Sequence, residues 1–342
     1  MSVSTGDIAA RLESSLRATG EFSGRVVTCR PMSGGACQEN FFVELETRDG
    51  VSEYVLRSDA VTSLPGSIGR QEEFEVIQIA VDAGVPTPAV WGLTKGVVRP
   101  DACAYLLEFL PGEAIGARVT RHPKYDDCRA SLSKSLAKAL AKIHSIRPER
   151  VGKLGLDRPC FSLAKNPARE AVSFLKGMLK ELEQVRPATE LGVLWLEENI
   201  PPLAQTTLVH GDFRTGNFMV DERGLVGVLD WEFAHWGDPV EDIGWLCVRD
   251  WRFGCIDRPA GGVDSRASFC AHYRSESGNV IDRHRLHWWE ICGNLRWAVA
   301  ASIQGLRYQA GGDFELLAIP RRAVEMEYEA LRLIETGPSD DA

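Results

Sequence analysis

No two cysteines in this chain stand in a C-x-x-C pair; the nine that occur are scattered from Cys29 to Cys292. That spacing gives no support to a structural zinc site, and an odd, dispersed set gives none to a disulfide framework. Scattered thiols fit a reducing cytoplasm, where a buried cysteine behaves as a small apolar side chain. Apolar runs approaching the ~18 residues of a membrane span are missing too. The stretch from Met1 to Arg17 carries Asp7 and Glu13 and has no apolar core of the kind an export signal needs. Positive charge is short as well: 39 Lys and Arg stand against 48 Asp and Glu, a net charge of −9. A nonspecific nucleic-acid binder needs the opposite balance. Internal repeats and low-complexity tracts are absent, and only residues 337–342 read as a loose tail. These absences predict a cytoplasmic protein with neither a nucleic-acid nor a membrane partner, and leave its oligomeric state open.

What is present divides into two halves. At 342 residues the chain exceeds a comfortable single core and predicts two lobes. Ile8, Leu12 and Leu16 repeat at helical spacing and predict a short opening helix. Strand-like runs follow at Arg25 to Arg30, Asn40 to Leu45 and Tyr54 to Arg57. From Ser67 to Asp82 the period is helical, with Phe74, Ile77 and Val81 on one face. Gly84 stops this helix, and Pro86 and Pro88 keep the chain extended. A further strand, Tyr105 to Leu110, ends at Pro111-Gly112, where the lobe boundary is placed. Beyond it, helices are predicted over Leu132 to Ile146, Ala168 to Val185 and Leu191 to Asn199, then a compact β segment from Thr207 to Asp230 and a Trp-rich helical remainder. The expectation is an α+β, bilobal fold: residues 1–110 as a small, mostly-β lobe with one helix, and 111–342 as a larger, mostly-α lobe.

The chemistry concentrates between His210 and Asp230. An apolar strand delivers His210 and Asp212, a loop passes to Asn217, and a hairpin turning at Asp221 to Gly224 brings Asp230 back beside Asn217. Each residue alone reads better as ordinary turn chemistry. Together they are the set phosphoryl transfer requires. The reaction is governed by positioning and charge stabilisation, so a carboxylate must align the acceptor hydroxyl and take its proton. Magnesium, a hard cation, needs oxygen ligands beside the phosphates, which an amide and a second carboxylate supply. Asp212 is the candidate base, and Asn217 and Asp230 the candidate magnesium ligands. His210 is placed to brace the loop, with proton carrier as the alternative. Arg214 is either a cation for the transferring phosphate or a surface arginine.

The spacing His210-x-Asp212-x-x-x-x-Asn217, with Asp230 downstream, resembles the catalytic segment of the aminoglycoside phosphotransferase and choline kinase-like family. The resemblance extends in motif order over about residues 25 to 250. It implies a protein-kinase-like fold using ATP, or GTP, with Mg2+ to phosphorylate a hydroxyl of a small molecule such as an aminoglycoside-like compound, an amino alcohol or a sugar. It also implies supporting parts. Ser33, Gly34 and Gly35 would offer backbone N–H groups to phosphates. Arg57, standing where relatives have a strand lysine, would hold phosphate oxygens with Glu73 as its helix partner; a water-facing edge residue is the alternative. Glu108, Phe109 and Leu110 would form a hinge against the base, and Asp242, in Gly237-Asp238-Pro239-x-x-Asp242, would secure the catalytic loop. Trp231, Trp236, Trp245 and Trp251 read as core and pocket wall. Arg214, Arg57 and Trp251-Arg252-Phe253-Gly254 resemble most the branch that includes kinase domains fused to some acyl-CoA dehydrogenases, which adds a hydroxyacyl-CoA acceptor as an alternative. Glu232, Asp238 and Glu241 would suit an amine-bearing acceptor; placement by the kinase architecture as structural residues is the alternative. A reading of another class is a nucleotide-binding pseudokinase, encouraged only by Arg57 in place of lysine. A protein kinase is a third reading, weakened by the missing Ala-Pro-Glu signature.

Overall fold

The computed structural model describes residues 4–20, 24–32, 39–48, 50–59, 64–151, 166–182, 184–203, 205–309 and 318–339. Its N-terminal part is a five-stranded antiparallel sheet: β1 (Arg25–Pro31), β2 (Glu39–Thr47), β3 (Gly50–Ser58), β4 (Val90–Lys95) and β5 (Cys103–Glu108), in the order β1-β2-β3-β5-β4. The opening helix α1 (Thr5–Thr19) is capped by the Ser4 side chain. It buries Ile8, Leu12 and Leu16 with Val43, Leu45 and Leu56 of the sheet. β4 had no separate signal in the sequence. Pro86 and Pro88 lead into it, and a register shift between Trp91 and Thr94 interrupts its pairing with β5.

α2 (Arg70–Asp82) buries Glu73, Val76, Ile77 and Ala80, while Val81 is exposed and Phe74 only half-buried. The inward face is therefore turned from the predicted Phe74–Ile77–Val81 stripe. The cause is Glu73, an acid that points inward because an arginine on β3 waits for it; the row 73, 76, 77, 80 is then the helical row that faces the core.

The C-terminal part is mostly helical: α3 (Gly116–Arg121), α4 (Asp126–Ile143), α5 (Pro148–Val151), α6 (Pro167–Lys180), α7 (Pro187–Glu198), α8 (Pro239–Leu246), α9 (Arg266–Ser277), α10 (Arg283–Gln309) and α11 (Ala323–Thr336). Leu132, Leu136, Leu140 and Ile143 of α4 are all buried, as their spacing predicts. Between α7 and α8 lie the short strands β6 (Thr207–Val209), β7 (Phe218–Asp221), β8 (Gly224–Val228) and β9 (His235–Gly237). β7 and β8 form the predicted hairpin, and β9 pairs with β6. Val228 N–H bonds to the Pro86 carbonyl at 2.8 Å and the Thr87 hydroxyl to the Val228 carbonyl at 2.9 Å. These bonds seat the hairpin against the segment that leaves α2. The seven described cysteines are free thiols. Among the described residues no helix is long and apolar enough to cross a membrane.

Candidate functional site

β6 ends at Val209, and the next three residues turn sharply. Gly211 has φ +76°, and a Cβ there would lie 2.2 Å from the Phe233 carbonyl oxygen, so only glycine fits. The turn is pinned by Asp242 from α8. Its carboxylate accepts from His210 N (2.7 Å) and Gly211 N (2.9 Å) and also meets His144 Nε2 at 3.2 Å. Burial opposes the charge on Asp242, but the hydrogen bond and charge of His144 and the bonds from the loop hold its carboxyl below the ordinary value.

His210 is fully enclosed. Its Nε2 faces the Leu229 carbonyl at 3.1 Å, and its Nδ1 accepts from Asp212 N at 3.3 Å. That pairing assigns the proton to Nε2 and commits both nitrogens. Burial lowers the imidazole's proton affinity despite three nearby carboxylates, Asp242, Asp212 and Asp230. The ring is thus neutral and fixed, which is the geometry of a brace.

Asp212 is 8% exposed. Its Oδ1 accepts from Trp245 Nε1 (2.6 Å) and Arg214 Nε (3.1 Å), and its Oδ2 from Asn217 Nδ2 (2.6 Å). Asn217 Nδ2 also reaches the Asp212 carbonyl at 3.0 Å, which turns the amide oxygen away from Asp212. The Arg214 guanidinium lies over the Trp251 ring, 4.4 Å from its centroid, so it is a half-buried shelf residue rather than a free surface arginine.

Leu229 N–H bonds to the Asn217 carbonyl at 2.8 Å, which sets Asp230 beside Asn217. Asp230 has φ +69°, one of two non-glycine residues among those described with positive φ. Left-handed backbone at an aspartate is tolerable but costs free energy, and such strain is retained where it aims a side chain. Asn217 offers an amide oxygen and Asp230 a quarter-exposed carboxylate, the hard oxygen donors that magnesium takes alongside phosphate and water. The residues fit that ion.

Arg57 sits on β3, in the middle of the sheet and only 6% exposed, which removes the water-facing alternative. It bonds Glu73 through Nε (3.0 Å) and Nη2 (2.8 Å), and Nη2 also bonds Asp230 Oδ1 at 2.6 Å. Burial works against the charged guanidinium, yet Glu73 and Asp230 raise its pKa well above the ordinary value. Arg70 was not anticipated. It grips Glu73 from the other side and bonds Glu232 Oε2 at 3.1 Å. Its sequence signal was the i, i+3 spacing to Glu73. Glu232 itself is pushed up to about 7 by burial and by the Asp230 charge.

The three acids read as candidates for an amine are all engaged. Glu232 pairs with Arg70, Asp238 with Arg285 (2.8 Å) and Trp289 (3.0 Å), and Glu241 with Arg296 (2.9 Å) and His235 (3.2 Å). Each is buried and serves the fold, so none is placed to receive a cationic acceptor. In the predicted hinge, Glu108 N–H bonds the Ala89 carbonyl (2.9 Å) and Phe109 N–H the Glu53 carbonyl (3.3 Å), leaving Leu110 with its N–H uncommitted among the described residues. Ser33, Gly34 and Gly35 lie outside the described residues. Trp231, Trp236, Trp245 and Trp251 are buried, as core and wall residues are.

Comparison with known proteins places the chain in a family and a fold. Residues 28–285 match the family model described as the phosphotransferase enzyme family. Acyl-CoA dehydrogenase family member 10 of Mus musculus is 28% identical over 223 residues, covering 63% of this chain and 20% of that protein. Family member 11 of Rattus norvegicus is 29% identical over 231 residues, covering 65% of this chain and 28% of that protein. The chain therefore spans less than a third of these curated relatives. Among solved structures, a Ralstonia eutropha protein provisionally described as an aminoglycoside phosphotransferase superposes with a TM-score of 0.76 at 22% identity, covering 96% of this chain and 99% of the other. The ethanolamine kinase of Plasmodium vivax gives 0.62 at 14%, covering 91% and 85%. At these identities the likeness establishes a kinase-like fold.

Proposed function

The chain belongs to the phosphotransferase enzyme family, and from that premise we propose that it transfers the γ-phosphoryl group of ATP, or of GTP, to a hydroxyl of a small molecule, with Asp212 as the base. The observation that carries the reading is the Arg57 guanidinium, bonded at once to Glu73 and to Asp230. It ties the sheet to Asp230, the residue that follows the Leu229 N–H bond to Asn217. We place the lobe boundary after Leu110, so that residues 1–110 hold the nucleotide and 111–342 the acceptor.

In this reading the acceptor hydroxyl approaches Asp212, which aligns it and takes its proton as the oxygen attacks the γ-phosphorus and the bond to the β-phosphate oxygen breaks. Arg214, held over Trp251, offers its outer nitrogens to the charge on the transferring group. Arg57 holds phosphate oxygens, to which Ser33, Gly34 and Gly35 would offer backbone N–H groups as the family resemblance implies. Leu110, with Glu108 and Phe109, borders the nucleotide base. Asn217 Oδ1 and Asp230 would hold Mg2+, which supplies charge neutralisation on the phosphates. His210 and Asp242 keep the loop in register.

Two acceptor classes divide the chemistry. Sugars, amino alcohols and aminoglycoside-like compounds are one. A hydroxyacyl-CoA thioester is the second, favoured by the engagement of Glu232, Asp238 and Glu241 with cations and by the names of the curated relatives. The test is a mass-spectrometric search for an added phosphate across antibiotics, amino alcohols, sugars and hydroxyacyl-CoA compounds with magnesium and ATP or GTP. Asp212→Asn should lower turnover by about 10^2–10^4-fold; unchanged turnover would sink the assigned mechanism. Magnesium-independent nucleotide binding with no turnover on any acceptor would favour the pseudokinase reading.

A further inference from the structure

Two of the side chains that donate to Asp212, Arg214 and Asn217, come from its own loop, and a third comes from α8. Trp245 is 6% exposed, and its indole N–H reaches Asp212 Oδ1 at 2.6 Å. Tryptophan has a single polar hydrogen and no acceptor, so this contact has one direction only: the indole donates and the carboxylate receives. The indole is itself gripped. The Arg296 guanidinium, from α10, lies 3.9 Å from the Trp245 ring centroid. The same guanidinium donates to the Gly211 carbonyl at 2.8 Å, one residue before Asp212, and pairs with Glu241 at 2.9 Å. Trp251 packs against the same indole, with ring centroids 5.6 Å apart.

Each oxygen of the carboxylate accepts one short bond and one edge of the Arg214 Nε–H: Oδ1 from Trp245 at 2.6 Å and Arg214 at 3.1 Å, Oδ2 from Asn217 at 2.6 Å and Arg214 at 3.3 Å. The shared Arg214 contact is the longer on Oδ2, and Oδ1 is held by the indole of another helix, so Oδ2 is the oxygen whose partners both belong to the loop itself. We propose that Trp245 is a positioning residue for phosphoryl transfer: clamped by Arg296, its indole N–H fixes Asp212 Oδ1 and thereby presents Oδ2 to the acceptor hydroxyl. The inference rests on the reading of Asp212 as base. It also gives α10 a function, because Arg296 carries the position of that long helix to both the indole and the backbone of the catalytic turn.

A tryptophan that only filled space would tolerate phenylalanine, which retains a ring for Arg296 to cover. The test uses the full chain. With 15N-labelled indoles each tryptophan gives one N–H resonance, and the one lost in Trp245→Phe belongs to Trp245. That resonance should lie downfield, as a short bond to a carboxylate requires, and move upfield in Asp212→Asn while the other indole signals stay in place. For turnover, phosphate release from magnesium-ATP with water as acceptor should fall about tenfold or more in Trp245→Phe, with the nucleotide KM unchanged within about twofold. Added to Asp212→Asn, Trp245→Phe should cost almost nothing more, since both act through one carboxylate. A folded Trp245→Phe with wild-type turnover, full multiplicative losses in the double variant, or an indole signal indifferent to Asp212→Asn would each overturn the inference. Wild-type turnover in Asp212→Asn would instead overturn the reading of Asp212 as base, and the indole shift would still decide whether the Trp245 bond exists.

Discussion

At the scale of single residues, the site is defined by side chains that each answer to two partners. Arg57 is the clearest case, with Glu73 on one side and Asp230 on the other. A lysine would carry the same charge but has no planar fork, so it cannot keep both Glu73 bonds and the Asp230 bond in one plane. We expect Arg57→Lys to fold, to lose about 1–2 kcal/mol of stability in denaturant titration, and to raise the nucleotide KM about tenfold. Arg57→Ala strips a buried carboxylate of a partner and should cost about 3–5 kcal/mol, moderated by Arg70, which remains on Glu73. Equal KM for wild type and the lysine variant would remove Arg57 from the nucleotide site.

At the scale of elements, α8 is the anchor of the turn from His210 to Asp212. It begins at the Asp238 cap, presents Asp242 to two loop N–H groups and His144, and ends near Trp245, whose indole bonds Asp212. Asp242→Asn keeps the shape but replaces one of two charge-assisted acceptors with an N–H that faces donors. A stability loss of about 2–3 kcal/mol and a fall in turnover of tenfold or more, at about this scale, are expected. The same helix packs closely on α10 at Gly244, where a Cβ would stand 2.7 Å from the Trp289 backbone carbonyl carbon and from its Cβ. Neither atom is the end of a flexible chain. Gly244→Ala should therefore lower stability by about 1–3 kcal/mol and, by displacing Trp245, reduce turnover beyond what the thermal shift alone accounts for. Intact stability and activity in Gly244→Ala would show that the two helices can separate freely.

At the scale of the whole molecule, arginine–carboxylate networks stitch the C-terminal helices together. Glu329 on α11 receives Arg249 (3.2 Å), Arg252 (2.9 Å) and Arg332 (2.9 Å), and Arg252 passes to Glu290 on α10 at 3.0 Å. Burial would raise the Glu329 carboxyl, but Arg332 and Arg252 pull it down from 4.5 to about 2. A folded value below the unfolded one means that this contribution is fully present above about 4.5 and is lost as pH falls toward about 2. Melting temperatures measured across that window should fall with acid in the wild type and fall less steeply in Glu329→Gln, which should start lower at neutral pH. Parallel curves would show that Glu329 does not govern the acid limb.

The linear order of residues determined what could be decided by local spacing: the α1 stripe, the first three strands, α4, and the hairpin that returns Asp230 to Asn217 are all patterns within a few turns or one tight loop. It also carries the proposed chemistry, because Asp212, Asn217 and Asp230 lie close enough in sequence for their spacing to carry meaning. Tertiary structure alone decided the partners. The rotation of α2 follows from Glu73 meeting an arginine sixteen residues away in sequence. Arg70, Trp245 and Arg296 reach the site across helices whose packing no local period encodes. The same distance effect decided between the two readings of Glu232, Asp238 and Glu241, acceptor contact or structural support, since each is buried against an arginine in the fold. Spacing along a chain records which groups share an element, whereas a charge is neutralised by whatever the folded chain brings within a few ångströms of it.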